Sequence, residues 1–394
     1  MTASSHPAPD CRRSRLAHDD PLAPDSIVRL LVISEGWTAT QQIAFVEGLA
    51  RWRAAGAATV TATDERRLAS IADGQGANSV EAFLGGEFER VCPTALVLSR
   101  YAGPDYRFLI DRARAANIPV IQQLDDDLFE TPIALGAESY LRYRHPRRLR
   151  ALYEILESAD VVYVSTPALG LRVAELAGPK RIVVADVCTG AYGGANPPTN
   201  PTSLTEIRIG YMATATHAFD LEMVAPALRR VLDEYAHVTL HFFGSIAKTA
   251  VAKSFADRAV YVQREAGAYR DFRLRLGDLG WDIGLAPLRE HPFNGFKCAT
   301  KWVEYADAGI AVVASAGPVY AEAGAAGAAR LCGPADWYAA LEMLILDGKA
   351  RAAMATAAYH LASARHSWKR VERQVVDLLL TAQPRSGAFG TPGT

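Results

Sequence analysis

The chain has few cysteines and no pattern among them. The five, Cys11, Cys92, Cys188, Cys298 and Cys332, are scattered through 394 residues. Without CxxC spacing they imply neither a disulfide framework nor a zinc knuckle, and a reducing cytoplasm fits them. No apolar run is long enough to span a bilayer. Neither sign of charge is in excess: 42 Lys and Arg face 43 Asp and Glu, a formal net charge of -1. That argues against a general nucleic-acid binder, so no nucleic-acid partner is expected. A G-x-G-x-x-G fingerprint is absent, which leaves a dinucleotide reading with little support. The arginines of CRRSR are followed by no apolar h-region. Residues 1–25, rich in Pro, Ser and Ala, therefore read as a disordered leader and not as a secretory signal. Residues 383–394 read as a flexible tail.

What is present is ordinary globular material, half hydrophobic and 22% charged. A chain of this length exceeds what one core usually serves, so two domains are expected. In the first half, short apolar runs alternate with longer amphipathic segments. Strands are expected at 28–34, 58–62, 95–99, 119–124, 161–165 and 182–187, and helices at 38–54, 80–91, 105–116 and 138–157. Residues 196–203, NPPTNPTS, stop both helix and ladder with three prolines and read as a linker. Beyond it the alternation restarts, with strands at 207–212, 238–243, 260–263, 283–288, 310–314 and 329–332. Helices are expected at 221–235, 269–276 and 335–346, and a long helical finish at 349–380. Such alternation builds βαβ units and parallel sheets. Two similar α/β halves on one linker imply a cleft between them.

The segment WDIGLAPLREHPFNGFKCATKWVEYADAGIAVVAS, residues 281–315, carries the most function. It reads strand, loop, short helix, strand. Lys297, Lys301 and Glu304 are spaced four and three apart, which on one helix puts them on a shared face. Two ammonium groups and a carboxylate there, beside a loop holding Asn294 and Gly295, suit a diphosphate and a sugar hydroxyl. The bland alternative is a solvated helical ion pair. Trp302, Tyr305 and Ala306 give the helix an apolar side for the sheet, and Gly309 suits its left-handed cap. A polyanion site is thus expected at a strand's carboxyl end, where open α/β sheets bind ligands.

The ordered series IGYMATATHAFDLEMVAPALRRVLDEY, VTLHFFGS, WDIGLAPL, FNGFKCATKWVEYADAGIAVVAS and HSWKRVERQVVDLL resembles the glycogen-synthase-like, retaining group of glycosyltransferases. VIQQLDDDLFE and ADVVYVSTPAL are similar to parts of that family's acceptor domain. The resemblance implies an α/β fold of GT-B architecture, two Rossmann-like domains facing across a cleft. It sets an acceptor-side domain at 26–198, a nucleotide-sugar-binding domain at 204–365 and a closing helix at 366–382 that crosses back. It implies that Glu304 accepts hydrogen bonds from ribose hydroxyls, that Lys297 and Lys301 meet the diphosphate, and that Asn294, Gly295 and Gly244 lie on the donor side. Two family features are missing: the first glutamate, whose place is taken by Phe296, and the Arg/Lys pair after the first strand of the second domain, where the chain reads TATHAFD.

His217, between a strand and a helix, is the further candidate for the cleft, facing phosphate or sugar; the structural alternative is a loop histidine near an Asp220 cap. Asp125, Asp126 and Asp127 follow a strand. They invite a metal reading, yet the two-domain pattern is that of the metal-free class, so no metal is expected, and Asp125 is the candidate for orienting a sugar or acceptor hydroxyl. Gly36 and Trp37 end the first strand and are sugar-side candidates, with packing the alternative for Trp37. The run RYRHPRRLR places Arg142, Arg144, Arg147 and Arg148 together, either as a solvated helix start or as a contact with an anionic membrane surface.

The expected activity is transfer of a sugar from a nucleotide sugar to a glycan or lipid-linked acceptor, with retention and without metal or cofactor, the nucleotide sugar being a substrate. Fixed cations and the N–H groups of a helix start would take up charge on the leaving diphosphate. The expected location is cytoplasmic, with a peripheral position at the inner membrane face as the second reading. The rivals are a non-catalytic nucleotide- or sugar-binding protein of the same fold and a UDP-sugar epimerase.

Overall fold

The apolar runs of the two halves build two separate six-stranded sheets, and every strand pairing in both is parallel. The structure, a computed structural model, describes residues 27–76, 78–179, 181–193, 205–255, 258–263 and 267–383. The first sheet holds β1 Val28–Ser34, β2 Ala58–Asp64, β3 Ala95–Ser99, β4 Val120–Leu124, β5 Val161–Val164 and β6 Ile182–Val184, in the order β2-β1-β3-β4-β5-β6. The second holds β7 Ile207–Met212, β8 Val238–Phe243, β9 Ala259–Val262, β10 Ile283–Ala286, β11 Ala311–Ser315 and β12 Arg330–Cys332, in the order β12-β11-β10-β7-β8-β9. The order in which strands are added reverses between β1 and β3 in one sheet and between β7 and β10 in the other, while every strand keeps the same direction. The carboxyl ends at those reversals are where a doubly wound sheet leaves a crevice.

Strands β3, β4, β5, β10 and β11 are buried at every residue. That follows from helices covering both faces, and it explains their continuous apolar runs. Each sheet has one apolar cluster per face. Gly210 in β7 is required by close packing, since a Cβ there would lie 1.9 Å from the Trp281 ring. The last helix, Trp368–Ala382, packs Val371, Val375, Leu378 and Leu379 into the cluster of Val28, Leu30 and Val32. It therefore packs against the first sheet, and each such side chain contributes about 1.5–3 kcal/mol by leaving water.

Several elements differ from the sequence reading. The helix expected over 38–54 is Ala39–Gln41, a π-helical turn Gln42–Glu47, and Ala50–Ala54. The wide turn is closed by Gly48 N–H donating to Ile43 O at 2.9 Å, and it lets Gln42 reach the second domain, where its Oε1 accepts from Tyr269 N at 2.7 Å. The helix expected over 138–157 breaks into Ala137–Tyr143 and Pro146–Ser158 because proline opens a new first turn. The long finish breaks at His366 and Ser367, where the chain crosses between domains and Ala191 N donates to His366 O. Helices Glu65–Gln75 and Pro167–Ala177 were absent from the sequence reading. Cys92 is disulfide-bonded, against the expectation from the cysteine spacing. The proposed linker, the leader and the tail beyond residue 383 lie outside the described residues. No helix among the described residues is long and apolar enough to cross a membrane.

Candidate functional site

The carboxyl ends of both sheets face one another across a cavity of about 540 Å³. The first domain contributes Thr40, Asp125 and Asp126, and the second His217, Gly244, Lys297, Lys301 and Glu304. Six residues singled out from sequence thus border one space: His217, Gly244, Lys297, Lys301, Glu304 and Asp125. Four do not. Asn294 and Gly295 sit in the short helical turn Pro292–Gly295 outside it, with Asn294 Nδ2 donating to Arg289 O at 3.0 Å. Gly36 and the exposed Trp37 do not border it, whereas Ala39 and Thr40 do.

The helix of the 281–315 segment begins later than the spacing suggested. It spans Thr300–Asp307 with Ala299 as N-cap, so Lys301 and Glu304 share its face while Lys297 lies on the preceding loop. Lys297 Nζ donates to Asp126 Oδ1 at 2.9 Å, an ion pair between the two domains. Burial pushes the Asp126 carboxyl up, but Lys297 and Arg100 together hold it below its ordinary value.

Lys301 is in a different condition. Among the described residues its Nζ is buried with no hydrogen-bond partner, 4.5 Å from the centre of the Tyr211 ring. Burial lowers its pKa from 10.5 to about 8, against the attraction of Asp220 and Glu304. A buried ammonium with unused donors is costly, and an anion is the ligand that would relieve it. Glu304 accepts from Tyr269 OH at 2.7 Å, and Tyr269 OH also receives Arg273 Nη1 at 3.0 Å.

His217 closes the 3₁₀ turn Ala215–His217 after β7. Its Nδ1 lies 2.8 Å from Asp220 Oδ2, and Asp220 Oδ1 accepts from Arg289 N at 2.9 Å. Burial, with help from Lys301, lowers the imidazole to about 4 despite Asp220. The ring is therefore neutral at pH 7. Asp220, ionised, accepts a hydrogen bond from Nδ1–H, which leaves Nε2 an acceptor. Gly244, at φ 100°, lets the loop after β8 approach the loop after β7; a Cβ would meet Ala213 O at 2.7 Å.

Arg100 is the main residue that sequence reasoning passed over. It follows β3 at φ 54°, a left-handed conformation rare for arginine and one that accompanies functional geometry. Its guanidinium bonds Glu35 at 3.1 Å, Asp126 at 3.1 Å, Tyr143 OH at 3.0 Å, and Asp125. Asp125 also accepts from Thr40 Oγ1 at 2.7 Å. Asp127 points elsewhere, to Arg172 Nε at 3.1 Å and Phe129 N at 3.0 Å. The three consecutive aspartates are thus divided between arginines, a lysine and a turn. The only sequence signal for Arg100 was its place just after a buried strand. Lys248, exposed at the cavity's edge, was likewise missed.

No family model and no curated protein matches the sequence. Solved structures match in fold. HepE from Anabaena, in complex with UDP-glucose, is 14% identical, covers 89% of this chain and 99% of its own, and gives a TM-score of 0.61. Sucrose-phosphate synthase from Thermosynechococcus elongatus is 12% identical over 89% of this chain and 98% of its own, with a TM-score of 0.64. WaaG, a glycosyltransferase involved in lipopolysaccharide biosynthesis, is 13% identical over 89% and 99%, with a TM-score of 0.62. The chain has the GT-B fold of these proteins, as the resemblance in sequence implied.

Proposed function

We propose that this protein is a glycosyltransferase that takes a sugar from a UDP-sugar and passes it to a glycan or lipid-linked acceptor, with retention and without metal. The carrying observation is the Lys301 ammonium, buried at the strand reversal of the second domain with no hydrogen-bond partner among the described residues. It lies beside the start of helix Thr300–Asp307, whose first N–H groups favour phosphate. Solved proteins of this fold hold UDP and UDP-glucose, which favours uridine as the base. In this reading Lys301 and the helix start take up charge on the departing diphosphate. Glu304 meets the ribose, and neutral His217 accepts a hydroxyl proton in a hydrogen bond through Nε2. Lys297 joins the diphosphate by leaving Asp126. Asp125 and Asp126 are already engaged by Arg100 and Lys297, and Glu304 by Tyr269. That supports front-side displacement over attack by an enzyme carboxylate.

Phe296 in the place of the family's first glutamate favours a second reading, a protein that binds the nucleotide without transfer. The test is a titration of the full chain with UDP, GDP and ADP, followed by turnover of the matching sugars. Saturable UDP binding with sugar release or transfer supports the enzyme; binding without turnover supports the second reading; no response to any of the three removes both.

A peripheral membrane contact draws less support from the arginine run than its count suggests. Arg142 and Arg148 pair with Glu65, each at 2.8 Å, and Arg144 donates to Phe129 O at 2.9 Å. The exposed Arg147, with exposed Ile133 and Leu141 nearby in sequence, is what remains for lipid.

A further inference from the structure

Glu304 is held from behind by a hydroxyl that does not reach the cavity. Glu304 borders that space, whereas Tyr269, Thr189 and Arg273 do not. All three are buried, and Tyr269 opens the helix Tyr269–Asp278. The Tyr269 hydroxyl meets Glu304 Oε1 at 2.7 Å, Thr189 Oγ1 at 2.9 Å and Arg273 Nη1 at 3.0 Å. Chemistry fixes the direction of each bond. A guanidinium only donates, a carboxylate only accepts, and a phenol has a single proton. That proton goes to Glu304, so Arg273 and Thr189 both donate to the Tyr269 oxygen.

Thr189 and Gly190 belong to the stretch after β6, where the chain leaves the first domain. The second domain grips this stretch through the same residues. Arg273 Nη1 also donates to Gly190 O at 3.0 Å, Arg273 pairs with Asp307, and Asp307 Oδ1 accepts from Gly193 N at 3.1 Å. Gly190 lies against the last helix, where a Cβ would come within 2.2 Å of the Trp368 ring. The backbone of Tyr269 is held as well, since its N–H donates to Gln42 Oε1 at 2.7 Å.

We propose that Tyr269 is a positioning residue that fixes the Glu304 carboxylate to the 188–190 stretch, and that this fixing gives the donor site its preference for a ribonucleotide over a 2′-deoxyribonucleotide. The preference rests on the function proposed above, in which Glu304 meets the ribose. An unanchored glutamate turns about several torsions, and each must be frozen before its oxygens are aimed at a hydroxyl. Here Tyr269 fixes one oxygen in advance, and Thr189 and Arg273 fix Tyr269. A carboxylate has about four acceptor sites, and the bond from Tyr269 occupies one of them. Without that hydroxyl the aim at the ribose is lost, while the contact of Lys301 with the diphosphate stays.

The test uses the full chain and compares binding of UDP with that of 2′-deoxy-UDP by titration calorimetry. The native chain is expected to favour UDP by about 10-fold or more, the worth of a hydrogen bond to a charged group. Tyr269→Phe keeps the ring and removes one oxygen. It is expected to bring the ratio to about 3-fold or less, with 2′-deoxy-UDP bound as in the native chain. Thr189→Ser should keep the native ratio and Thr189→Val should lower it, a comparison that stands even if Tyr269→Phe does not fold. Variants that melt lower yet keep the native ratio would show a packing role only and overturn the proposal. A native chain that binds both nucleotides equally would overturn it too, with the UDP site left standing. Melting temperatures without ligand give an independent measure. The losses from Thr189→Val and Glu304→Gln are expected to be less than additive in the native background and additive on Tyr269→Phe; additivity in both would overturn the link. A native chain blind to UDP would count against the proposed function, and the melting temperatures alone would then decide the link.

Discussion

Replacing Lys301 by methionine should make the free protein more stable and its response to UDP weaker. The side chain keeps its apolar stem against Tyr211 and loses the charge. In the native chain burial takes the ammonium from 10.5 to about 8, which corresponds to about 3 kcal/mol of unreturned desolvation at neutral pH. That figure already contains the attraction to Asp220 and Glu304, and part of it is offset by the contact with the Tyr211 ring. The net gain from Lys301→Met is then about 1–2 kcal/mol. For a domain of this size that is a rise in Tm of about 2–8 °C. Fluorescence is a suitable probe, because Trp281, Trp302 and Trp337 are all buried in the second domain.

The pH dependence fixes the cause. The folded pKa of Lys301 lies below the unfolded one, so between about 8 and 10.5 the unfolded chain binds more protons. Stability of the native chain therefore rises with pH across that window relative to the methionine variant, and the gap between them closes. Binding moves the other way. Loss of a charged partner to the diphosphate should cost about 1.5–3 kcal/mol, or about 10–150-fold in affinity for UDP. A methionine variant that melts lower at pH 7, or that keeps the native UDP response, would refute the reasoning.

His217 should contribute no ionisation to turnover between pH 5 and 8, since it is neutral with a pKa of about 4. Its folded pKa is below 6.5, so the stability it supports is lost as pH falls from 6.5 to 4; acid denaturation of His217→Ala should show a shallower slope there, with transfer activity reduced. Lys297→Ala and Asp126→Asn should be coupled. A double-mutant cycle on thermal or denaturant unfolding should give about 1 kcal/mol for this partly buried pair, and strict additivity would exclude a direct interdomain contact.

Much of the fold was legible because buried parallel strands leave continuous apolar runs. Val28–Ser34, Ala95–Ser99, Ile207–Met212 and Val238–Phe243 stand where the pattern put them. Helix breaks were less visible. Pro146 announced one, but the turn at Gln42–Glu47 was not visible: a Cβ on Gly48 would lie 2.3 Å from Ala44 O within the turn and 3.1 Å from Val375, at the far end of the chain. The site divides in the same way. Lys301 and Glu304 were readable from helical periodicity near a strand end. Arg100 was not, because its partners Glu35, Asp125 and Asp126 come from the ends of other strands, which only the sheet order brings together.

Phe296 shows what the departure from the family pattern does physically. Its side chain packs on the apolar cluster of the first domain, and its carbonyl accepts from Thr166 Oγ1 at 2.9 Å. The next residue, Lys297, bonds Asp126, also in the first domain. A position that would offer a carboxylate to the donor instead joins the two domains, and it does so with an apolar side chain, a backbone acceptor and an ion pair in succession. The carboxylates that remain at the cavity are each held by a partner: Asp125 by Arg100 and Thr40, Asp126 by Arg100 and Lys297, and Glu304 by Tyr269. Phe296 itself is not among the residues that border the cavity, so the departure from the family pattern adds an apolar contact between the domains and puts no carboxylate at that position.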